Sequence, residues 1–113
     1  MALPLNIFKT VTNVLSTSPV GIYTAPVGYT GVVLLAQVAN TGSNTETVTF
    51  SHQRTIAGIA VTTEIVKDFP IPANDSASFL DGKLVLETND ALLISGSSNT
   101  NLKFTGSILE TLK

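Results

Sequence analysis

The 113-residue chain contains no cysteine and no tryptophan, and it has a single histidine, His52. Without cysteine, a disulfide framework and a cysteine-based metal site are both excluded. One histidine also falls short of the several nitrogen or sulfur ligands that a zinc site requires. A catalytic triad would depend on that residue alone, and no nucleophile motif accompanies it. We therefore predict no enzyme activity, no metal and no cofactor, and we interpret His52 as a partly buried structural or interface residue.

Charged residues are scarce as well, at 12% of the chain with a net charge of −2. The six lysines and arginines are scattered, whereas neutralising nucleic-acid phosphates requires clustered cations, so no nucleic-acid partner is expected. The longest apolar run, Val32 to Ala36, is too short to cross a bilayer. The first residues also lack the basic and then apolar pattern of a secretory signal. The sequence thus predicts no membrane partner and synthesis in a cytoplasm.

Apolar residues make up 43% of the chain, and Ser, Thr and Asn supply much of its polarity. One interpretation is the ordinary composition of a β-sandwich, which is rich in Val, Ile and Thr. The other is that partner subunits cover part of the apolar surface. We favour the second interpretation, because Thr and Asn do not repel a neighbouring protein as Lys and Glu do.

Apolar and polar residues alternate with period two along nearly every segment, as in half-buried strands. The last segment is the clearest, since one parity holds only small or apolar residues: Leu102, Phe104, Gly106 and Ile108. In the segment 45–54, Val48 and Phe50 are predicted to face the core. The segment 59–69 places four apolar residues on its predicted inner face: Ile59, Val61, Ile65 and Phe69. The segment 32–38 is apolar on both faces, as expected of a central strand.

Turn residues separate these segments. Asp81-Gly82 favours the positive φ angles of a type I′ turn and predicts a hairpin between 79–80 and 84–86. Asn89-Asp90 predicts a second tight connection, and Pro26-Val27-Gly28 a turn with proline at its second position. About eight short strands at regular spacing predict an all-β, antiparallel β-sandwich of jelly-roll or Ig-like type. We expect 18–113 to form this single domain, and 1–17 to be an N-terminal arm or an edge strand.

Two groups of residues are candidate binding sites. The apolar residues of the N-terminal segment do not keep one parity, which favours an arm that lies along a neighbouring subunit or extends its sheet. The arm residues are Leu3, Leu5, Ile7 and Phe8. Tyr23 and Tyr29 flank the turn at 26–28, and a tyrosine pair on a β-sandwich can stack on a sugar ring. A carbohydrate- or receptor-binding module is therefore an alternative function.

The order of several short motifs resembles a known family. The chain reads IYTAPVGYTGVVL at 22–34 and VANTG at 38–42. PIPA follows at 70–73, LDGKLVLE at 80–87, and a last strand ends on Leu109-Glu110. Over about 18–110 this order is similar to small virion structural proteins of tailed bacteriophages, notably cyanophages and other marine phages. Residue 89 is Asn where the resemblance predicts Gly, which leaves the geometry of that turn open.

The resemblance implies a non-enzymatic virion component with no catalytic residues. Head decoration, or cement, is the first function that it implies, and a neck or tail component is the second. It further implies location in the virion, on the capsid surface by preference, after synthesis in the host cytoplasm. The implied partners are the major capsid protein or other virion proteins. Small decoration proteins often form closed rings, so a homo-oligomer, with a trimer favoured, is also expected.

Overall fold

The computed structural model describes residues 6–112, which form nine β-strands. The strands are β1 (Asn6–Val14), β2 (Val20–Thr24), β3 (Tyr29–Asn40), β4 (Glu46–Ile56), β5 (Ile59–Ile71), β6 (Ser76–Ser78), β7 (Leu84–Leu86), β8 (Ala91–Gly96) and β9 (Leu102–Leu112). Every strand pair is antiparallel. Over the described range, no helix is long and apolar enough to span a membrane.

The strands form two sheets that pack face to face. The first sheet has the order β1-β9-β3-β6, with β7 also paired to β3, and the second has the order β2-β8-β4-β5. Because β6 and β7 lie against successive stretches of β3, they act as one interrupted strand. With β6 and β7 counted as one strand, every connection crosses from one sheet to the other except the one between β4 and β5. This alternation is the topology of a jelly roll, and it confirms the predicted all-β antiparallel sandwich.

Alternating side chains from both sheets fill the space between them. Phe50 lies at the centre, with ring centroids 5.6 Å from Phe79 and 6.0 Å from Phe104. Val48 is as fully buried as Phe50, as predicted for 45–54. The prediction for the last segment is also confirmed, since its inward parity is buried along β9. β3 pairs with neighbours on both sides, as predicted for a strand that is apolar on both faces.

The prediction of a hairpin at Asp81-Gly82 is wrong. β6 and β7 do not pair with each other, because both run antiparallel to β3 along the same edge. Between them, Phe79 donates its backbone N–H to Ala36 and inserts its ring into the core. Burial of this ring keeps the chain on its course along β3, so residues 79–83 form a bulging loop. Of the two turn residues, Gly82 alone has a positive φ, at 132°.

The tight hairpin of the fold lies between β4 and β5 instead. Ala57 and Gly58 have φ angles of 53° and 80°, the combination that a type I′ turn requires. β4 pairs with β8 only as far as Gln53, whereas its pairing with β5 continues through Ile56 and Ile59. The last three residue pairs therefore extend beyond the sheet by about 10 Å. We call residues 54–61 the finger.

Two smaller predictions also need correction. Ile59 and Val61 were predicted to face the core, but they lie on the finger with exposed fractions of 66% and 46%. Alternation indicates which residues share a face, but not whether another sheet covers that face. In the turn at 26–28, Tyr29 donates its N–H to the carbonyl of Pro26, so proline stands at the first position rather than the second. Gly28, with φ 85°, supplies the left-handed residue of this turn.

Candidate functional site

The predicted arm residues divide between two parts of the chain. Leu3 and Leu5 lie outside the described residues. Ile7 and Phe8 belong to β1, which pairs with β9 along its whole length, from Asn6 opposite Thr111 onward. Ile7 is half-buried, whereas Phe8 points away from the core and is 76% exposed. Phe8 is thus an exposed aromatic residue on an edge strand.

Tyr23 contacts a buried carboxylate rather than presenting its hydroxyl to solvent. The Tyr23 hydroxyl donates to Oε2 of Glu110 at 2.5 Å, and Lys9 Nζ lies 3.2 Å from Oε1 of the same group. The residue Glu110 is only 1% exposed. A Cβ atom on Gly31 would lie 3.1 Å from the Tyr23 hydroxyl, so Gly31 leaves room for the ring. The three side chains join β1 and β9 of the first sheet to β2 of the second.

Tyr29 begins β3, opposite Leu112. Tyr29 lies two residues before Gly31, so the two residues share a strand face. Gly31 is the residue against which the Tyr23 ring packs. The Tyr29 carbonyl accepts a hydrogen bond from Thr88 Oγ1 at 2.9 Å, and the Tyr29 side chain is half-buried. Both tyrosines therefore lie at the same end of the sandwich.

The environment of Tyr23 makes the free energy of unfolding depend on pH in the alkaline range. Burial raises the pKa of Tyr23 well above its usual value of 10.0, and the hydrogen bond and the negative charge of Glu110 raise it further. Because the unfolded tyrosine ionises first, this stabilisation is complete below pH 10 and is lost as the pH rises above it. We expect the free energy of unfolding, measured in urea from pH 8 to 11, to fall more steeply for the wild type than for Tyr23→Phe. Parallel pH profiles would contradict this assignment.

A second buried carboxylate fixes the base of the finger. Asp90 is 4% exposed and accepts from His52 Nε2 at 3.1 Å, from Arg54 Nε at 3.4 Å and from the backbone N–H of Glu87 at 3.0 Å. Arg54 also contacts the exposed carboxylate of Glu87 at 2.7 Å. His52 thus lies at a structural junction, where β4 meets the β7–β8 connection. Within the described part of the chain, no group of three or more His, Cys, Asp or Glu side chains could hold a metal ion.

The two ends of the sandwich differ in character. One end, which we call the polar end, consists of loops rich in Ser, Thr and Asn: 15–19, 41–45, 72–75 and 97–101. The opposite end, which we call the apolar end, consists of the loops 25–28 and 87–90 and of the finger. Exposed apolar side chains concentrate on and beside the apolar end: Phe8, Val27, Ile56, Ile59, Val61, Val85 and Leu112. Four others are exposed elsewhere on the described strands: Val14, Val20, Leu34 and Phe69.

The finger carries its apolar side chains on one face. Ile56 pairs with Ile59, and Arg54 pairs with Val61, so these four residues point to the same side. This side continues the core-facing surface of the second sheet, because His52 pairs with the buried Leu92. Ile56 and Ile59 remain 55% and 66% exposed at the tip.

A second apolar surface crosses the outer face of the first sheet. Phe8 lies opposite Leu109, Leu109 opposite Val32, and Val32 opposite Val85. This line of four side chains, which we call the apolar row, crosses four strands and is about 14 Å long. Its ends are the most exposed, with Val85 at 53% and Phe8 at 76%. The apolar side of the finger faces from the second sheet toward the first, and the row lies on the outer face of the first sheet.

Neither a family model nor a curated protein sequence matches the chain. Solved structures share its fold at low sequence identity. A chain of the disulfide-linked pili that form Bacillus endospore appendages is 18% identical, with a TM-score of 0.51 over 96% of this chain and 88% of that one. A chain of the T13 IBDV viral particle is 12% identical, with a TM-score of 0.59 over 96% of this chain. The infectious bursal disease virus Gx strain gives 12% identity and a TM-score of 0.50.

This chain spans 31% and 33% of the two viral chains, so it corresponds to about a third of each. At such identities the likeness shows the fold alone. The fold of residues 6–112 is thus one that is found in a virus particle and in a pilus-type appendage. The disulfide linkage of those pili has no counterpart here, because this chain contains no cysteine.

Proposed function

We propose that this protein is a non-enzymatic structural subunit of a virion, and that it decorates the capsid surface. The observation that carries the proposal is the contrast between the two ends of the sandwich. An apolar end with a projecting finger provides a surface for docking, and the polar end provides a surface that remains in contact with solvent.

The exposed apolar side chains have a direct physical consequence. Contiguous apolar surface on a protein of this size marks a site of protein contact, since its exposure to water is unfavourable. Ile56 and Ile59 extend beyond the body, so they reach a recess or seam between neighbouring subunits that the sandwich itself cannot enter. Phe8 and Val85, at the two ends of the apolar row, would bear on the same partner.

A decoration protein acts by burying surface across subunits of a shell. An interface of standard size buries about 1,600 Å² and stabilises the closed lattice at every copy. Such a protein needs a rigid body and a docking surface, which the sandwich and its apolar end supply. The major capsid protein is the proposed partner, and Leu3 and Leu5 of the N-terminal segment are proposed to add contacts to it.

Three observations favour a structural subunit over the other functions considered. The same fold forms part of a virus particle and of a pilus, both of which are repeating assemblies. Asp90 and Glu110, the two buried carboxylates, are already occupied by donors from neighbouring strands. Tyr23, half of the proposed sugar platform, is half-buried with its ring packed on Gly31 and its hydroxyl bound to Glu110, which disfavours a carbohydrate-binding module.

Copy number in purified particles tests the proposal. A head decoration protein is expected in on the order of hundreds of copies per particle, as the many equivalent positions of a shell require. Quantitative mass spectrometry against the major capsid protein measures this ratio, and labelling in electron micrographs locates the protein. About six or twelve copies would assign it to the neck or tail instead. Its absence from particles would refute a virion role.

A further inference from the structure

Each sheet ends in strands whose outer backbone groups have no partner strand among residues 6–112, and proteins commonly protect such edges from pairing. The edges of the second sheet carry familiar forms of protection. β2 has five residues, and its register shifts between Gly21 and Tyr23. β5 is long, but it has two register shifts opposite β4, a positive φ of 50° at Asp68, and Pro70 near its end.

The outer edge of the first sheet at β6 and β7 is protected differently. Each of these strands has three residues, and the loop 79–83, which contains Asp81 and Lys83, separates them. A further strand could pair with either piece only over a short length. Three of the four edges in the described fold therefore resist the addition of another strand.

β1 is the exception. Its nine residues pair with β9 in one continuous register, without a bulge, and they include no proline, glycine or acidic residue. Its single charge, on Lys9, lies against Glu110 at 3.2 Å. Phe8, Thr10 and Thr12 are exposed on its outer face. β1 is thus a long, regular and nearly neutral edge, which is the kind that readily accepts a further strand.

We propose that β1 pairs with β1 of a second copy of this chain, antiparallel and about a two-fold axis. Pairing between two different edges would require a second open edge, and the other three described edges are protected. Antiparallel pairing of β1 with itself needs only one edge and is self-complementary, as a two-fold interface must be. The first sheets of the two copies would then form one continuous sheet, and the inference does not depend on a role in a virion.

The side chains of β1 are compatible with this arrangement. A two-fold axis perpendicular to the sheet keeps both outer faces on one side, so Phe8, Thr10 and Thr12 of each copy meet only one another across the axis. The two Lys9 side chains lie on the opposite face, where each is neutralised by Glu110 of its own copy. Backbone hydrogen bonds supply the main attraction, as in other cases of strand addition.

Disulfide trapping tests the proposal, because a chain without cysteine gives a clean background. We would prepare single variants Phe8→Cys, Thr10→Cys and Thr12→Cys and oxidise each alone and in mixed pairs. The two-fold axis can pass through β1 at any residue from 8 to 12. For each of these positions, one of the combinations places its two cysteines directly opposite each other, with Cα atoms about 5 Å apart. This distance suits a disulfide, whose Cα separation is about 4.4–6.8 Å. We expect that combination to form a dimer at least about 10-fold faster than the control.

The matched control is Thr105→Cys, which lies beside Thr12 on the same outer face but one strand inward. In the proposed dimer the two copies of residue 105 are at least about 14 Å apart, too far for a disulfide. Sedimentation equilibrium of the unmodified full chain should show a reversible species of twice the 11.8 kDa monomer mass. A chain that stays monomeric at millimolar concentration, a trimer, or trapping at residue 105 as fast as on β1 would overturn the proposal.

Discussion

Asp90→Ala is expected to lower the free energy of unfolding by about 3 kcal/mol, because it leaves several donors without their acceptor. His52, Arg54 and the backbone N–H of Glu87 all converge on this one carboxylate. The side chain of Asp90 is 6% exposed, so little water can replace the lost hydrogen bonds. Thermal unfolding by circular dichroism should show a decrease in Tm of about 10 °C for a domain of this size.

Glu87→Ala is the matched control, since Glu87 contacts the same Arg54 from an exposed position. The Glu87 side chain is 60% exposed, and an exposed ion pair of this kind contributes less than about 1 kcal/mol. The prediction therefore concerns the difference between the two variants. Equal losses of stability would mean that the buried position of Asp90 is unimportant and that the base of the finger is held by other contacts.

Ile59→Asp is expected to reduce the occupancy of the protein on particles at least about 10-fold, because it places a charge in the centre of the proposed contact. The effect on folding should be small, since Ile59 is 66% exposed and lies opposite Ile56 at the tip of the finger. That pair is worth at most about 1 kcal/mol. Occupancy would be measured by quantitative mass spectrometry of purified particles, and stability by urea unfolding of the free protein.

Ser43→Asp, in an exposed loop of the polar end, makes the same change of charge at the opposite end of the sandwich. If the apolar end docks, this variant should occupy particles as well as the wild type does. Full occupancy by Ile59→Asp, or equal losses for both variants, would show that the finger is not part of the contact.

Much of the fold follows from the alternation of side chains. β9 illustrates this best, because its buried residues are those that one parity of the sequence selects. The same parity continues to Glu110, which is 1% exposed, but a carboxylate was not expected at a core position. Glu110 has the same parity as the inward-facing residues of this strand, and this pattern could have identified it as a buried residue. Its partners Lys9 and Tyr23 come from distant strands, and a single sequence does not indicate which strands meet.

The errors have a related cause. Asp81-Gly82 has the preferred residues of a type I′ turn, yet burial of Phe79 keeps the chain beside β3 and prevents a hairpin. Ala57-Gly58 forms the real hairpin although alanine is unusual at a positive φ. Local turn preferences amount to about 1 kcal/mol, whereas burying a phenylalanine contributes about 2–3 kcal/mol. Tertiary packing therefore prevents the hairpin at Asp81-Gly82, whereas the register of β4 against β5 places the turn at Ala57-Gly58.

The pairing of β1 with β9 also determines when the fold can be completed. Asn6 lies opposite Thr111, so the first strand of the sandwich has no partner until the last strand is available. Contacts between residues so far apart in the chain form slowly, because the long intervening loop must close first. Until β9 is available, the first sheet has a gap between β1 and β3, and the core lacks one wall. The sandwich is therefore completed only once its last strand has been made, and its first strand is among the last to find a partner.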